Sequence, residues 1–227
     1  MLKDLLKRPS GIVRTSSALI NGTAYRNNQA IQAKVKRSMT WTDGMTWFNP
    51  PVASRYEGDT LHVTTSDKGD FWRETFYGFN HDNGHALMAP AGAEFSVEVS
   101  FTADYEGQYD QAGLYLRADD SHWIKAGIEH VNGVAHLATV VTNGKSDWSQ
   151  MPLPGFTGWL GLRLTRMGDA VWVQYRLESE WKMFRLAYFP PDLTVTTGPM
   201  ACSPSRAGLQ VQFRDFQLGQ PISRQPY

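Results

Sequence analysis

"QAGLYLRADDSHWIKAGIEHVNGVAHLATVVT", residues 111–142, reads as three strands joined by two tight turns. Asn132-Gly133 is a strong hairpin signal, because a two-residue loop favours both central residues at φ > 0. It pairs Val131 with Val134, and therefore Glu129 with His136, Gly127 with Ala138, and Lys125 with Val140. The earlier turn has two solutions. A two-residue loop at Asp119-Asp120 mixes apolar and charged residues on each face. A three-residue loop, Asp119-Asp120-Ser121, pairs Tyr115 with Lys125, Gly113 with Gly127, and Gln111 with Glu129. This second register sorts the residues. Ala112, Leu114, Leu116, Ile124, Ala126, Ile128, Leu137, Thr139 and Val141 share one face, which is the core. A slip of one residue would reverse both faces, so the consistent apolar set selects the register.

The other face carries Gln111, Gly113, Tyr115, Arg117, Trp123, Lys125, Gly127, Glu129, His136, Ala138 and Val140. Gly113, Gly127 and Ala138 line up across three strands as a trough with almost no side chains. Glycine within a strand marks close approach of something else to the backbone, or curvature. Aromatic and charged residues around a glycine floor suit a polar ligand with flat apolar faces, such as a sugar. On this reading a valine at 127 fills the groove while the strand still forms.

Outward from this meander, strand and turn signals alternate at short spacing, the pattern of a sandwich or barrel. "DTLHVTT" (59–65) and "AEFSVEVSFTADY" (93–105) alternate apolar and polar residues. "GWLGLRLTR" (158–166) breaks at Met167-Gly168-Asp169 and resumes as "AVWVQYRL". A turn at Glu178-Ser179-Glu180 leads into "WKMFRLAYF", and "AGLQVQFRDFQL" (207–218) closes the series. The proline-bearing stretches 50–51, 152–154, 190–191 and 199–204 are expected to be loops, since proline cannot serve a central ladder. Neither an internal repeat nor a linker is visible, so one all-β sandwich of about a dozen strands is expected over residues 39–220.

Composition narrows the function. The chain has 227 residues, 41% hydrophobic and 12% aromatic, which supports a buried core. Its 22 basic and 22 acidic residues cancel, yet residues 1–38 hold eight Lys/Arg against Asp4 alone. The remainder is net acidic and does not suit a phosphate backbone. No apolar run approaches the roughly 18–20 residues that span a bilayer. The partners expected are therefore a small molecule or glycan, or another protein, with no nucleic acid and no membrane. Cys202 is the single cysteine, which allows no intrachain disulfide and fits a reducing, cytoplasmic location. Residues 1–38 lack the apolar core of a secretory signal and have the basic, Ser-bearing composition of an organelle transit peptide, or of a solvated tail ahead of Met39 or Met45. They are expected to be a poorly structured extension, and 221–227 a C-terminal tail.

Three stretches, "DFWRETFYGFNHDNGHAL" (70–87), "YDQAGLYLRADDSHWIKAGIEHVNGVAHLATVVTNGKSDWS" (109–149) and "GPMACSPSRAGLQVQFRDF" (198–216), resemble the bacterial and fungal domain-of-unknown-function family of regulation-of-enolase-like proteins. The resemblance runs from Met39 to about Leu218. It implies a concanavalin A-like, lectin-like jelly roll of two curved antiparallel sheets, one with a concave face. It implies no activity, because this fold hosts lectins, hydrolases and adhesion modules. Phe76 and the pair Asn80-His81 stand where the family is expected to favour His and an Ile-Arg pair.

Catalysis has weaker support. Hydrolases of the superfamily carry a Glu-x-Asp-x-x-Glu strand, absent here. Glycoside hydrolysis needs two carboxyls, and Glu129 is the one acid on the polar face, with Asp110 and Asp147 as partners from loops. If the protein is an enzyme, Glu129 is the candidate acid/base, with Lys125 setting its charge. His81, Asp82 and His85 could ligate a metal by type, but Asn83-Gly84 breaks any helix that would align them, and no metal or cofactor is expected. In "DFWRETFYGF" Phe71, Arg73, Thr75, Tyr77 and Phe79 alternate with Trp72, Glu74, Phe76 and Gly78. One face can serve the core, and the other is either covered by a loop or stacks against a sugar or peptide, the reading that adds Arg73 and Tyr77 to the ligand-binding candidates. "SDWS" (146–149) places Trp148 in a loop, as the rim of the site or as the hydrophobic anchor of a lid. The expectation is a binding domain for a carbohydrate or carbohydrate-like metabolite. An enzyme on such substrates and a regulatory protein-interaction module are the alternatives.

Overall fold

The computed structural model describes residues 40–226, and the expectation for 1–38 lies outside them. Among the described residues, sixteen strands form two seven-stranded antiparallel sheets and one small hairpin. The first sheet runs in the order β1 (Thr46–Phe48), β6 (His85–Ala91), β15 (Val195–Cys202), β8 (Gln111–Arg117), β9 (His122–Val131), β10 (Val134–Asn143) and β11 (Lys145–Pro152). The second runs β14 (Lys182–Tyr188), β13 (Ala170–Arg176), β12 (Leu160–Met167), β7 (Phe95–Ala103), β16 (Gln210–Gly219), β3 (Thr60–Thr64) and β2 (Ala53–Glu57). β4 (Phe71–Arg73) and β5 (Asn80–Asp82) pair only with each other. The two large sheets stack as a jelly-roll sandwich. β15 is inserted between β6 and β8, and β16 between β7 and β3.

The meander folds in the register read from its side-chain pattern. Gln111 faces Glu129, Gly113 faces Gly127, and Tyr115 faces Lys125. Glu129 faces His136, Gly127 faces Ala138, and Val131 faces Val134. Ala112, Leu114, Leu116, Ile124, Ala126, Ile128, Leu137 and Val141 enter the main core, where they meet Val97, Val99, Leu162, Leu164, Val171 and Val173 of the second sheet. Non-directional burial of this apolar surface is what holds the two sheets together.

Two expectations are corrected. Pro199 lies inside β15, a central strand, opposite Leu114. It is tolerated because the ladder to β6 lapses there: Thr197 and Met200 have partners in β6, while Gly198 and Pro199 have none. The missing N–H falls where no bond is made on that side. Trp148 is in edge strand β11, opposite Val140, and not in a loop. Asn143-Gly144 turns the chain tightly enough for β10 to pair with β11 at once.

The open side between the sheets is bridged by Arg185 of β14. It donates to Ser149 Oγ at 2.7 Å and pairs with Asp147 at 3.1 Å, both on β11. Beyond β16, Ile222 N donates to Ser96 Oγ at 3.1 Å, and Gln174 Nε2 donates to the Pro226 carbonyl at 3.2 Å.

Candidate functional site

"DFWRETFYGF" is not one strand. The chain turns at 74–79, where Glu74, Phe76 and Gly78 all take positive φ, and returns as β5. The resulting hairpin lies on the outer face of the first sheet. Arg73 N donates to Ser146 Oγ at 2.9 Å, and its Nε donates to the Gly144 carbonyl at 3.0 Å. Arg117 grips both carboxylate oxygens of Asp82 at 3.0 and 2.9 Å, and lies 4.4 Å over the Phe48 ring. Bidentate geometry makes this clamp directional as well as charged.

Under the hairpin is a second, smaller core. The Phe71 ring stacks on Tyr115 with centroids 4.3 Å apart and approaches Trp123 at 6.3 Å. Met88, Val140, Met200 and Cys202 complete it. Gly84 makes room, since a Cβ there would sit 2.6 Å from Cys202 Sγ and against the Phe71 ring. Tyr115 and Trp123, expected as walls of an open trough, are therefore sealed at 0% and 1% exposure. The cause is the hairpin, whose apolar residue 71 needs cover as much as they do.

The glycine pair also has a different cause from the one expected. A Cβ on Gly127 would run into the Ala112 carbonyl and lie 2.7 Å from Gly113 Cα, and one on Gly113 would strike the Ala126 carbonyl. What approaches these glycines is the neighbouring strand itself. Valine at 127 cannot be accommodated without parting β8 from β9.

An open cleft of about 290 Å3 remains beside the sealed part. Lys125 and Glu129 of β9 and Val140 of β10 form its floor, with Trp148 of β11 on one side and Trp72, Tyr77 and Phe79 of the hairpin on the other; Asp70, His81, Tyr109 and Pro204 complete the lining. Of the residues anticipated from sequence, the cleft brings together Lys125, Glu129, Trp148 and Tyr77. Gln111 supports it from below. Arg73 and Arg117 serve as hairpin anchors. His136 is turned to its own backbone, its Nδ1 donating to the Val134 carbonyl at 2.9 Å. Neither Asp110, which accepts from Arg206 at 2.6 Å, nor Asp147 reaches the cleft. His85 does not stand beside His81 as a ligand. It is buried and accepts from Ser66 N at 3.0 Å through Nε2, while Nδ1 donates to the Asn49 carbonyl at 2.8 Å.

Asp70 is the residue that the strand pattern missed. Its position just ahead of a hairpin carries no periodic signal, and its partners are remote in sequence. Its Oδ1 accepts from Lys125 Nζ at 2.8 Å and Gln111 Nε2 at 3.2 Å. Burial pulls the Lys125 pKa down, but the carboxylate of Asp70, with Glu129 beside it, outweighs burial, so the ammonium form is favoured on balance. Glu129 fares differently. Burial raises its pKa, Lys125 opposes, Asp70 adds to the rise, the Trp148 indole N–H lowers it slightly, and the carboxyl ends at about 7. Its Oε2 and the Trp148 indole Nε1 are both buried and face each other, yet neither makes a hydrogen bond of good geometry among the described residues. A buried polar atom left unpaired costs on the order of 1–3 kcal/mol, so two together at one cleft ask for an explanation.

Comparison with known proteins places this architecture. Residues 47–221 match the family described as "Protein of unknown function (DUF1349)". The chain is 43% identical over 180 residues to Regulation of enolase protein 1 of Saccharomyces cerevisiae, covering 79% of this chain and 91% of that one. A crystal structure of a functionally unknown protein from Saccharomyces cerevisiae superposes with a TM-score of 0.77 at 42% identity, covering 80% of this chain and 99% of that one. More distant likenesses concern the fold alone. A xylan β-1,4-xylosidase from Bacillus halodurans gives a TM-score of 0.54 at 12% identity, over 77% of this chain and 39% of that one. The CBM2 module of a Lactobacillus casei phage J-1 evolved Dit protein gives 0.55 at 12%, over 81% and 92%. With a family match over three quarters of its length and a 43% identical yeast relative, the chain belongs to the DUF1349 family of regulation-of-enolase-like proteins.

Proposed function

We propose that the cleft over Lys125 and Glu129 is a recognition site for a carbohydrate or carbohydrate-like metabolite, and that the domain binds its ligand without transforming it. One observation carries the proposal. An acceptor, Glu129 Oε2, and a donor, Trp148 Nε1, are both buried at a cleft walled by aromatic rings, and the approach between them falls short of a well-formed hydrogen bond. A sugar hydroxyl donates and accepts at once, and a sugar ring offers flat C–H faces to aromatic walls. Asp70 does not qualify as a second catalytic carboxyl, because Lys125 and Gln111 already hold it. A thermal-shift screen of the full chain against sugars and glycans tests the proposal. A stabilising sugar whose effect falls in Glu129→Gln or Trp148→Ala by about 1–3 kcal/mol of binding supports it. A panel with no stabilising sugar would count against it.

An enzyme acting on such ligands is the second reading. It is favoured by the near-neutral pKa of Glu129, where a general acid/base works best. Product formed by wild type but not by Glu129→Gln would establish it in place of simple binding.

A further inference from the structure

We propose that the cleft selects a positively charged amine on a sugar-like ligand, seating the ammonium among Trp72, Tyr109 and Trp148 opposite Glu129 Oε2, and that it rejects phosphorylated sugars. This rests on the reading of the cleft as a ligand site and narrows its chemistry.

The walls are the first argument. Trp72 and Trp148 have centroids 6.5 Å apart at an interplanar angle of 90°. Tyr109 meets Trp148 at 6.5 Å and 76°, and Tyr77 meets Trp72 at 5.6 Å and 70°. These edge-to-face contacts fix the rings against one another along the cleft. A ring face left open to the cleft carries negative quadrupole density and attracts a cation more than a neutral hydroxyl.

Charge is the second argument. The titratable groups lining the cleft include Asp70, Lys125, Glu129 and His81. Lys125 and Asp70 are joined at 2.8 Å and neutralise each other. What remains is a carboxyl, 7% exposed, with one oxygen unmatched. A hydroxyl would fill its hydrogen bond but leave the buried charge uncompensated, whereas an ammonium supplies both. The nearby arginines are committed, Arg117 to Asp82 and Arg73 to the Gly144 carbonyl. A phosphate entering here meets two carboxylates and no uncommitted arginine or lysine among the described lining residues.

Facing Glu129 are Lys125 on its own strand, Asp70 ahead of the hairpin, Gln111 on β8, Cys202 on β15 and His136 across the β10 register. Burial, opposed by Lys125, brings Glu129 to about 7, so its charge appears across the neutral range. If the ionised form alone binds a permanent cation, affinity rises about tenfold between pH 6 and pH 8.

Calorimetric titration of the full chain with D-glucosamine, D-glucose and D-glucose 6-phosphate at pH 7, and with choline at pH 6 and pH 8, tests this. The expected result is glucosamine at least tenfold tighter than glucose, the phosphate no tighter than glucose, and choline about tenfold tighter at the higher pH. Glu129→Gln should abolish the choline pH dependence, and Trp148→Ala should weaken choline at both values. Equal binding of glucose and glucosamine would overturn the inference while leaving the cleft as a sugar site. Tight binding of the phosphate would overturn it as well, and so would choline binding indifferent to both substitutions. Binding of none of the four would remove the cleft reading and this inference together.

Discussion

Glu129 sits 7% exposed beside a lysine that is already bonded to Asp70, and it pays for that position in protons. In an unfolded chain its carboxyl titrates near 4.5, and in the fold at about 7. Between those values the folded state holds the proton more often than the unfolded state, so stability falls as pH rises from about 4.5 to about 7 and then levels off. The loss approaches about 3 kcal/mol at most. Thermal melts of Glu129→Gln against pH should therefore match wild type near pH 4.5 and lie above it at pH 8; a variant less stable at pH 8 would mean that ionised Glu129 is well paired. Gly127, two residues earlier on the same strand, is constrained by shape. Gly127→Val should fail to give a native circular dichroism spectrum, because its Cβ meets the Ala112 carbonyl. A folded Gly127→Val would show that β8 and β9 can separate at low cost. The sequence pattern located both residues but misjudged the glycine, because strand propensity does not register how near a neighbouring backbone comes.

At the scale of elements, the meander was legible and the hairpin was not. Apolar and polar residues in β8, β9 and β10 alternate strictly, so one choice of turn length assigned every side chain to a face. "DFWRETFYGF" also alternates, yet it folds as one three-residue strand and a turn with three positive-φ residues, and the returning strand starts only at Asn80. Alternation over ten residues does not distinguish a strand from a hairpin when Glu74 and Phe76 hold conformations that L-residues seldom take. Asp70 went unnoticed for a related reason, since the bond that makes it important spans 55 positions. The hairpin's tie to the sheet rests largely on Phe71 and a few polar bonds. Phe71→Ala should cost about 3–5 kcal/mol and leave Tyr115 and Trp123 open to solvent. Tryptophan fluorescence should shift to the red well below the global denaturation midpoint. Coincident transitions would show instead that hairpin and sandwich form one cooperative unit.

At the scale of the whole molecule, the sandwich follows from short, evenly spaced strands with turn residues between them, and its interior from the faces those strands expose to one another. Ile128 and Glu129 are adjacent in sequence and belong to different worlds: one in the main core with Val97 and Leu164, the other at the cleft. Ile128→Asp should unfold the domain, since an unpaired charge buried there costs several kcal/mol. Glu129→Gln should fold.

The function proposed for the outer face can be examined on the tryptophans themselves, which are spread over both sheets. Trp72 and Trp148 line the cleft, whereas Trp159 and Trp181 stack on Arg214, Arg163 and Arg176 of the second sheet. A nitrogen–proton correlation spectrum of the full chain resolves their indole N–H signals, with Trp148→Phe and Trp72→Phe supplying the assignments. On titration with D-glucosamine the signals of Trp148 and Trp72 should move together and saturate, while those of Trp159 and Trp181 stay fixed. Stationary Trp148 and Trp72 signals, or movement confined to Trp159 and Trp181, would contradict the assignment of a ligand site to the cleft over Glu129.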